Sequence, residues 1–132
     1  MSKPQRPQVN KYMSPAPQTV GRDISLESAK DIMASLAIRH LPVVQGEKVV
    51  GIVSDRDIQI LETLGKAEKK SLLVDDAMTR EVFLVTPETP LKDAVGAMHK
   101  GKFGSAVVVK EGKVCGIFTT IDALRALDEF LS

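Results

Sequence analysis

The sequence predicts an α/β (α+β) fold of two matching halves, each a small mixed sheet flanked by helices. The main observation is an ungapped internal repeat: residues 13–61 align with residues 78–126 at a constant offset of 65 positions, with Met13 repeated at Met78. Two copies of one supersecondary unit are expected to pack about an approximate two-fold axis. Within each copy, the hydrophobic pattern indicates the order helix, strand, strand, helix.

The first copy begins with a short extended piece around Thr19 and Val20. Ser25 is expected to cap a helix, because apolar residues follow it at spacings of three and four: Leu26, Ala29, Met33, Leu36 and Ala37. Residues 41–44 and 49–53 read as two buried strands joined by a turn at Gln45-Gly46-Glu47. A second helix is expected from Ser54 to about Leu64.

The second copy repeats these elements in the same order. Residues 82–85 are expected to be extended, and a helix is expected from Leu91 through Met98. Strands at residues 105–109 and 113–118 enclose a turn at Glu111-Gly112, and a last helix runs from Thr120 to about Phe130. A half of about 60 residues buries only about 60% of the surface of its unfolded chain, so the two copies are expected to share a core.

The repeat also predicts the domain boundaries. Residues 1–11 contain two prolines and few apolar side chains, which indicates a disordered tail. The first repeat is assigned to residues 12–64 and the second to residues 77–132. Residues 65–76, which are mostly polar and charged at their start, are expected to form a surface connector.

Composition argues against several classes of protein. The net charge is only +1, and the sequence contains one Tyr and no Trp. Neither the charge nor the aromatic content therefore favours nucleic-acid binding. The single cysteine, Cys115, allows neither an internal disulfide nor a cysteine-rich metal site and is expected on a buried strand. No apolar run approaches the ~18 residues needed to cross a membrane, and the N-terminus lacks the apolar core of a signal peptide. A cytoplasmic protein without membrane contact is therefore expected.

Catalysis is not expected either. His40 and His99 are the only histidines, and no serine lies in a nucleophile-elbow context. Neither a metal-ligand spacing nor a phosphate-binding P-loop is present, so no metal and no cofactor are predicted. His99 is expected to be a surface residue.

Both copies end in a glycine, a hydroxyl residue and an aspartate at the same spacing, where a strand becomes a helix. The residues are Gly51, Ser54 and Asp57, then Gly116, Thr119 and Asp122. One interpretation is a helix cap, because a hydroxyl followed by an acid three residues later has capping-box spacing. A glycine in a strand, however, is costly unless something approaches the backbone closely, which favours a ligand.

The same residue types suit a nucleoside phosphate. A helix N-terminus offers free N–H groups and a positive dipole to a phosphate. An aspartate only accepts hydrogen bonds, so it can hold the two adjacent hydroxyls of a ribose.

With these motifs, the sequence resembles the tandem cystathionine-β-synthase-type (CBS) domain pair, or Bateman module. The resemblance rests on Tyr12-Met13-Ser14 and Ala77-Met78-Thr79 at the openings, on His40-Leu41-Pro42-Val43-Val44, and on the two closing motifs. It implies that an adenosine-containing ligand, such as AMP, ADP, ATP or S-adenosylmethionine, binds in clefts between the repeats. It also implies a homodimer that regulates a protein target which the sequence does not identify.

The resemblance implies two ligand clefts. The first would combine Thr19, His40, Leu41, Pro42, Gly116, Thr119 and Asp122. The second would combine Gly51, Ser54, Asp57, Leu84, Ser105 and Ala106. The first cleft ranks higher, because Leu84 and Ala106 depart from the pattern of the family.

Some assignments stay open between two readings. Arg39 and His40 either reach a phosphate or an adenine edge, or complement the C-terminus of the preceding helix. Arg56 is expected to be solvated, with a phosphate contact as its alternative. The leading functional hypothesis is an adenine-nucleotide sensor, and the alternative is a ligand-independent dimerisation or protein-interaction module whose aspartates serve only as caps.

Overall fold

A computed structural model describes residues 6–63 and 72–132 and divides them into two compact units. The first-repeat unit comprises residues 18–63 and 72–82, and the second-repeat unit comprises residues 6–17 and 83–132. Each unit has its own small mixed sheet with helices packed against it. The predicted fold class is therefore confirmed.

The elements of the first-repeat unit are β2 (Val20–Gly21), α1 (Leu26–Leu36), β3 (His40–Gln45), β4 (Lys48–Ser54), α2 (Asp55–Thr63) and α3 (Val74–Ala77). Its three strands form one sheet in the order β2-β3-β4. The β2–β3 pair is parallel and the β3–β4 pair is antiparallel. Ser25 caps helix α1 as predicted, since its Oγ accepts a hydrogen bond of 3.0 Å from the Ser28 N–H.

The elements of the second-repeat unit are β1 (Ser14–Pro15), β5 (Leu84–Val85), α4 (Leu91–Gly101), β6 (Ser105–Lys110), β7 (Lys113–Thr119) and α5 (Thr120–Leu131). Its four strands form a sheet in the order β1-β7-β6-β5. The β5–β6 pair is parallel, and the other two pairs are antiparallel. Phe118 has no exposed surface and lies in the core between this sheet and the helices.

The segment that opens each repeat packs in the unit of the other repeat. Ser14 and Pro15 pair with Ile117 and Gly116 of β7. Thr79 exchanges backbone hydrogen bonds of 3.0 and 2.8 Å with Ile52 of β4. The compact units therefore depart from the boundaries 12–64 and 77–132, because each opening segment completes the sheet edge next to a closing motif.

Three further expectations differ from the structure. Residues 9–11, the end of the expected disordered tail, form a short 3-10 turn, and Val9 is fully buried. Val74, placed in the surface connector, is also fully buried in α3. Leu36 is half-exposed, because α1 ends at Ala37, whose φ of 53° lies in the left-handed region. The connector residues 65–71 and the expected helix end at Leu64 lie outside the described residues.

Candidate functional site

The two closing motifs have the same local structure in the two units. β4 runs directly into α2 at Ser54, and β7 runs directly into α5 at Thr119. Asp57 and Asp122 lie in the first turn of these helices. Asp57 is half-buried, and Asp122 is 9% exposed.

Both aspartates cap their helices through one carboxylate oxygen. The Ser54 N–H donates to Oδ2 of Asp57 at 2.9 Å, and the Asp57 N–H donates to the Ser54 Oγ at 3.1 Å. The Thr119 N–H likewise donates to Oδ2 of Asp122 at 2.9 Å. The capping interpretation is therefore correct in both copies, and it accounts for one oxygen of each carboxylate.

The other oxygen, Oδ1, differs between the two aspartates. Within the described residues, Oδ1 of Asp57 has no hydrogen-bond partner. Every fully buried side-chain nitrogen or oxygen there does have a partner, so this Oδ1 atom must be accessible to solvent. Oδ1 of Asp122 lies 3.5 Å from Nη2 of Arg125. Each carboxylate therefore keeps acceptor capacity beyond its cap.

The helix N-termini offer fewer free donors than expected. The Asp55 N–H, the first of α2, donates to the Arg39 carbonyl at 3.0 Å. The Thr120 N–H, the first of α5, donates to the Gly104 carbonyl at 3.2 Å. These bonds reduce the number of N–H groups that each helix can present to a phosphate.

The closing glycines have a cause inside the protein. A Cβ on Gly116 would lie 2.5 Å from Sδ of Met13 and 3.2 Å from the Ser14 carbonyl oxygen. A Cβ on Gly51 would lie 2.6 Å from Sδ of Met78 and 3.0 Å from the Thr79 carbonyl oxygen. The opening segments therefore fill the space next to these glycines, which accounts for them without a ligand, and the assignment of Gly51 and Gly116 to ligand clefts stays a prediction.

The remaining predicted site residues are divided between the two units. In the first-repeat unit, His40 pairs with Ser54 across β3 and β4, while Leu41 and Pro42 are fully buried and Thr19 is half-buried. In the second-repeat unit, the half-buried Ser105 pairs with Thr119 and the buried Ala106 with Phe118, while Leu84 is 51% exposed. In each unit, the hydroxyl residue of the closing motif thus lies opposite the first residue of the preceding strand of the same hairpin.

The histidine of the predicted site has a perturbed environment. Burial lowers the pKa of His40 below its usual range, and the nearby carboxylates of Asp55 and Asp57 oppose that shift. Arg39, Arg56 and His99 are exposed, as expected for solvated side chains.

Sequence reasoning missed a polar cluster beside Asp122. The Nη2 group of Arg125 donates to the Tyr12 carbonyl at 2.6 Å, and its guanidinium lies over the Tyr12 ring at 5.9 Å from the centroid. The Tyr12 hydroxyl donates to Glu129 at 2.7 Å, which raises the pKa of Tyr12. The repeat gave no signal for this cluster, because Ala77 and Ile60 occupy the positions that match Tyr12 and Arg125.

A groove of about 1360 Å³ lies beside this cluster in the second-repeat unit. Its lining includes Tyr12, Val95, Leu127, Glu129 and Phe130. Within residues 6–63 and 72–132, no group of three or more His, Cys, Asp or Glu side chains is arranged to hold a metal ion. No helix in that part of the chain is both long and apolar enough to span a bilayer.

Sequence comparison identifies the family. The family model for the CBS domain matches residues 9–60 and 74–129. The chain is 38% identical over 105 residues to an inosine-5'-monophosphate dehydrogenase of Korarchaeum cryptofilum, a match that covers 79% of this chain and 21% of that protein. The chain therefore spans about a fifth of the length of this relative.

Structural comparison gives matches over almost the whole chain. The CBS domain pair of protein MJ0100, solved in complex with 5'-methylthioadenosine and S-adenosyl-L-methionine, has a TM-score of 0.83 at 28% identity and covers 95% of this chain and 98% of its own. CBSX2, a CBS-pair protein from Arabidopsis thaliana, was solved in complex with AMP. That complex has a TM-score of 0.78 at 30% identity, with 95% and 98% of the two chains covered. The chain belongs to the CBS domain family and carries a tandem pair of these domains.

Proposed function

We propose that this CBS pair is a regulatory module that binds adenosine-containing ligands, with Asp57 and Asp122 as the acceptors for ribose hydroxyls. The observation that carries the proposal is the similarity, over almost the whole chain, to CBS pairs solved with AMP and with 5'-methylthioadenosine and S-adenosyl-L-methionine. These ligands share an adenosine, so the recognised group is the nucleoside.

The local geometry supports this role for the two aspartates. Each carboxylate is fixed by its cap through Oδ2, which leaves Oδ1 to accept hydrogen bonds. A prepositioned, acceptor-only group next to the Ser54 or Thr119 hydroxyl suits a vicinal diol. The assignment of Thr19, His40, Leu41 and Pro42 to the same ligand as Asp122 joins residues of different units and stays a prediction.

The proposed role is regulation rather than catalysis. A ligand can shift a conformational equilibrium only by its difference in affinity for the two states, typically about 1 to 3 kcal/mol. That amount is enough to change how strongly a partner protein is bound. The target protein and the preferred ligand are not specified by the residues described above.

Thermal unfolding with added ligands tests the proposal. A ligand present at 100 times its dissociation constant should stabilise the chain by about 2.7 kcal/mol. We expect this stabilisation from at least one of AMP, ADP, ATP, 5'-methylthioadenosine and S-adenosylmethionine, and none from ribose 5-phosphate. If no adenosine compound changes the unfolding midpoint at millimolar concentration, the proposal is wrong.

A second copy of the chain is the proposed partner of helix α5. Five apolar side chains of α5 are strongly exposed: Ile121 at 69%, Leu124 at 59%, Leu127 at 50%, Phe130 at 87% and Leu131 at 72%. Spacings of three and four residues place them along one stripe, which continues into the groove beside Tyr12. In a two-fold dimer the same stripe can lie on both sides of the interface, so each copy would cover the apolar surface of the other.

Sedimentation equilibrium checks this dimer. We expect a dimer for the wild-type chain and a monomer for Phe130→Glu, because a charge buried in an apolar interface lacks a partner. Ile60→Glu, on the half-exposed position of α2, serves as a control that keeps the dimer. If the wild-type chain is still a monomer at 100 times the protein concentration used in the ligand measurements, the dimer proposal is wrong.

The ligand-independent module remains the second candidate function, because both aspartates already serve as caps.

A further inference from the structure

Each unit has a groove between two helices, and the two grooves occupy matching places in the repeat. In the first-repeat unit, α1 and α2 line a groove of about 380 Å³. In the second-repeat unit, α4 and α5 line the groove of about 1360 Å³ together with residues of the opening segment. The offset of 65 positions aligns α1 with α4 and α2 with α5. Each exposed residue of one helix pair therefore has a counterpart in the other.

The helix pair of the second-repeat unit carries an exposed apolar surface that its counterpart lacks. This apolar face consists of Val95 in α4 and Ile121, Leu124 and Leu127 in α5, all of them exposed. The matching residues in the first-repeat unit form a polar face and are charged or carry an amide: Lys30, Arg56, Gln59 and Glu62. The same place in the repeat is therefore apolar in one unit and polar in the other.

The polar face is already satisfied within its own unit. The Nζ atom of Lys30 lies 3.1 Å from Oε1 of Glu62, so an ion pair joins α1 to α2. The Lys30 side chain is 61% exposed, so water hydrates much of this pair. Covering the pair with an apolar surface would remove that hydration without supplying a new partner.

The apolar face has the opposite preference, and its border carries charges of both signs. A contiguous apolar surface next to a groove is favourably covered by another apolar surface. Lys92 lines the groove on α4, and Asp128 follows Leu127 on α5. In the described part of the chain, neither Lys92 nor Asp128 belongs to a salt bridge. A two-fold pairing of this face therefore brings basic and acidic groups to the border from both copies.

We propose that the two copies of the dimer meet through their second-repeat units alone, apolar face against apolar face, and that the polar face of the first-repeat unit takes no part. This inference rests on the dimer proposed above and names which repeat meets which. An isologous contact lets each apolar face cover an identical one.

The two other pairings are less favourable. The apolar face of one copy on the polar face of the other would bury the ion pair of Lys30 and Glu62 against aliphatic side chains. Two polar faces in contact would dehydrate two such ion pairs and leave both apolar faces in water.

A matched pair of variants tests the two faces separately. Val95→Lys with Leu127→Glu gives the apolar face the two residue types of the matching ion pair, so the new charges can pair within the unit. Ala34→Glu with Gln59→Lys adds one acid and one base to the lining of the first-repeat groove. All four positions are exposed, so both variants are expected to fold, and denaturant unfolding checks this.

Sedimentation equilibrium gives the dissociation constant of the dimer for each chain. We expect the apolar-face variant to weaken the dimer at least about 100-fold, because two apolar contacts per copy are lost and charges take their place. The polar-face variant should leave the dissociation constant within about threefold of the wild-type value, as for substitutions on a free surface.

The other outcomes overturn different parts of the account. Similar weakening by both variants would overturn the inference and keep the dimer, because both faces would then be in contact. Weakening by the polar-face variant alone, or by neither variant, would overturn both the inference and the role of α5 in the dimer. A wild-type chain that stays monomeric would overturn the dimer and this inference together, while the thermal-unfolding test of ligand binding is unaffected.

Discussion

Gly116→Ala is expected to destabilise the second-repeat unit by about 1 to 3 kcal/mol, the range for overpacking a filled interior site. The added Cβ would lie 2.5 Å from Sδ and 3.1 Å from Cγ of Met13. The methionine side chain can turn away, but the Ser14 carbonyl oxygen at 3.2 Å is backbone and is held by the pairing of β1 with β7. Relief therefore requires the Met13 side chain to turn away and the β1 edge to shift by a few tenths of an ångström against its pairing with β7.

Denaturant unfolding measures this effect, and the chain offers two comparisons. Gly51→Ala should cost a similar amount, since its Cβ would meet Met78 and the Thr79 carbonyl oxygen at 2.6 and 3.0 Å. Gly96, in the interior of α4, has no atom within 4 Å of its added Cβ, so Gly96→Ala should stabilise the helix by about 0.5 to 1 kcal/mol. Equal stabilities of all three variants would show that the opening segments do not pack on the closing glycines.

Asp122→Ala is expected to weaken ligand binding about 100-fold or more. A hydrogen bond to a charged group contributes about 1.5 to 3 kcal/mol, and two ribose hydroxyls would lose their acceptor together. The same change removes the bond between the Thr119 N–H and Oδ2, so the free energy of unfolding should also fall by about 1 to 2 kcal/mol. Calorimetric titration and denaturant unfolding measure the two effects separately.

Asp76 provides a matched control for the capping contribution. Its Oδ2 accepts a hydrogen bond of 2.8 Å from the Leu73 N–H at the start of α3, the same type of bond that Asp122 makes in α5. Asp76→Ala should lower stability by a comparable amount and leave ligand affinity unchanged. If Asp122→Ala lowers stability but keeps full affinity, Asp122 acts only as a helix cap.

The repeat in the sequence was enough to predict the main helices and strands of each unit, but not β1 or α3. The hairpin around Gly46 and the capped start of α1 depend on local signals, namely alternating apolar residues, turn residues and a serine N-cap. Such signals act over a few residues, so they can be read from one sequence.

The exchange of the opening segments could not be predicted in the same way. Met13 and Gly116 are far apart in the sequence, and the repeat shows that Met13 matches Met78 without showing which glycine each methionine contacts. In the structure the methionine of one opening packs on the glycine of the other repeat's closing motif. The close approach that the two glycines indicated is therefore made, at least in part, by the protein itself.

The cluster of Tyr12, Arg125 and Glu129 was missed for a related reason. Residues that match between the two copies identify only the features that the two units share. Arg125 matches Ile60 and Tyr12 matches Ala77, so the residues that make the two units differ lie outside the repeat signal. The contacts of Arg125 with Tyr12 and Asp122 depend on packing that the spacing of residues does not encode.

The most direct test of the central claim pairs changes in the ligand with changes in the protein. Binding of AMP and of 2',3'-dideoxy-AMP would be measured on the Asp57→Asn chain and on the Asp57→Asn, Asp122→Ala chain. If the carboxylate of Asp122 holds the ribose diol, 2',3'-dideoxy-AMP should bind the Asp57→Asn chain about 100-fold more weakly than AMP does. The two ligands should bind the Asp57→Asn, Asp122→Ala chain with similar affinity. An equal loss in both chains would contradict the account, because the hydroxyls would then be recognised by other groups.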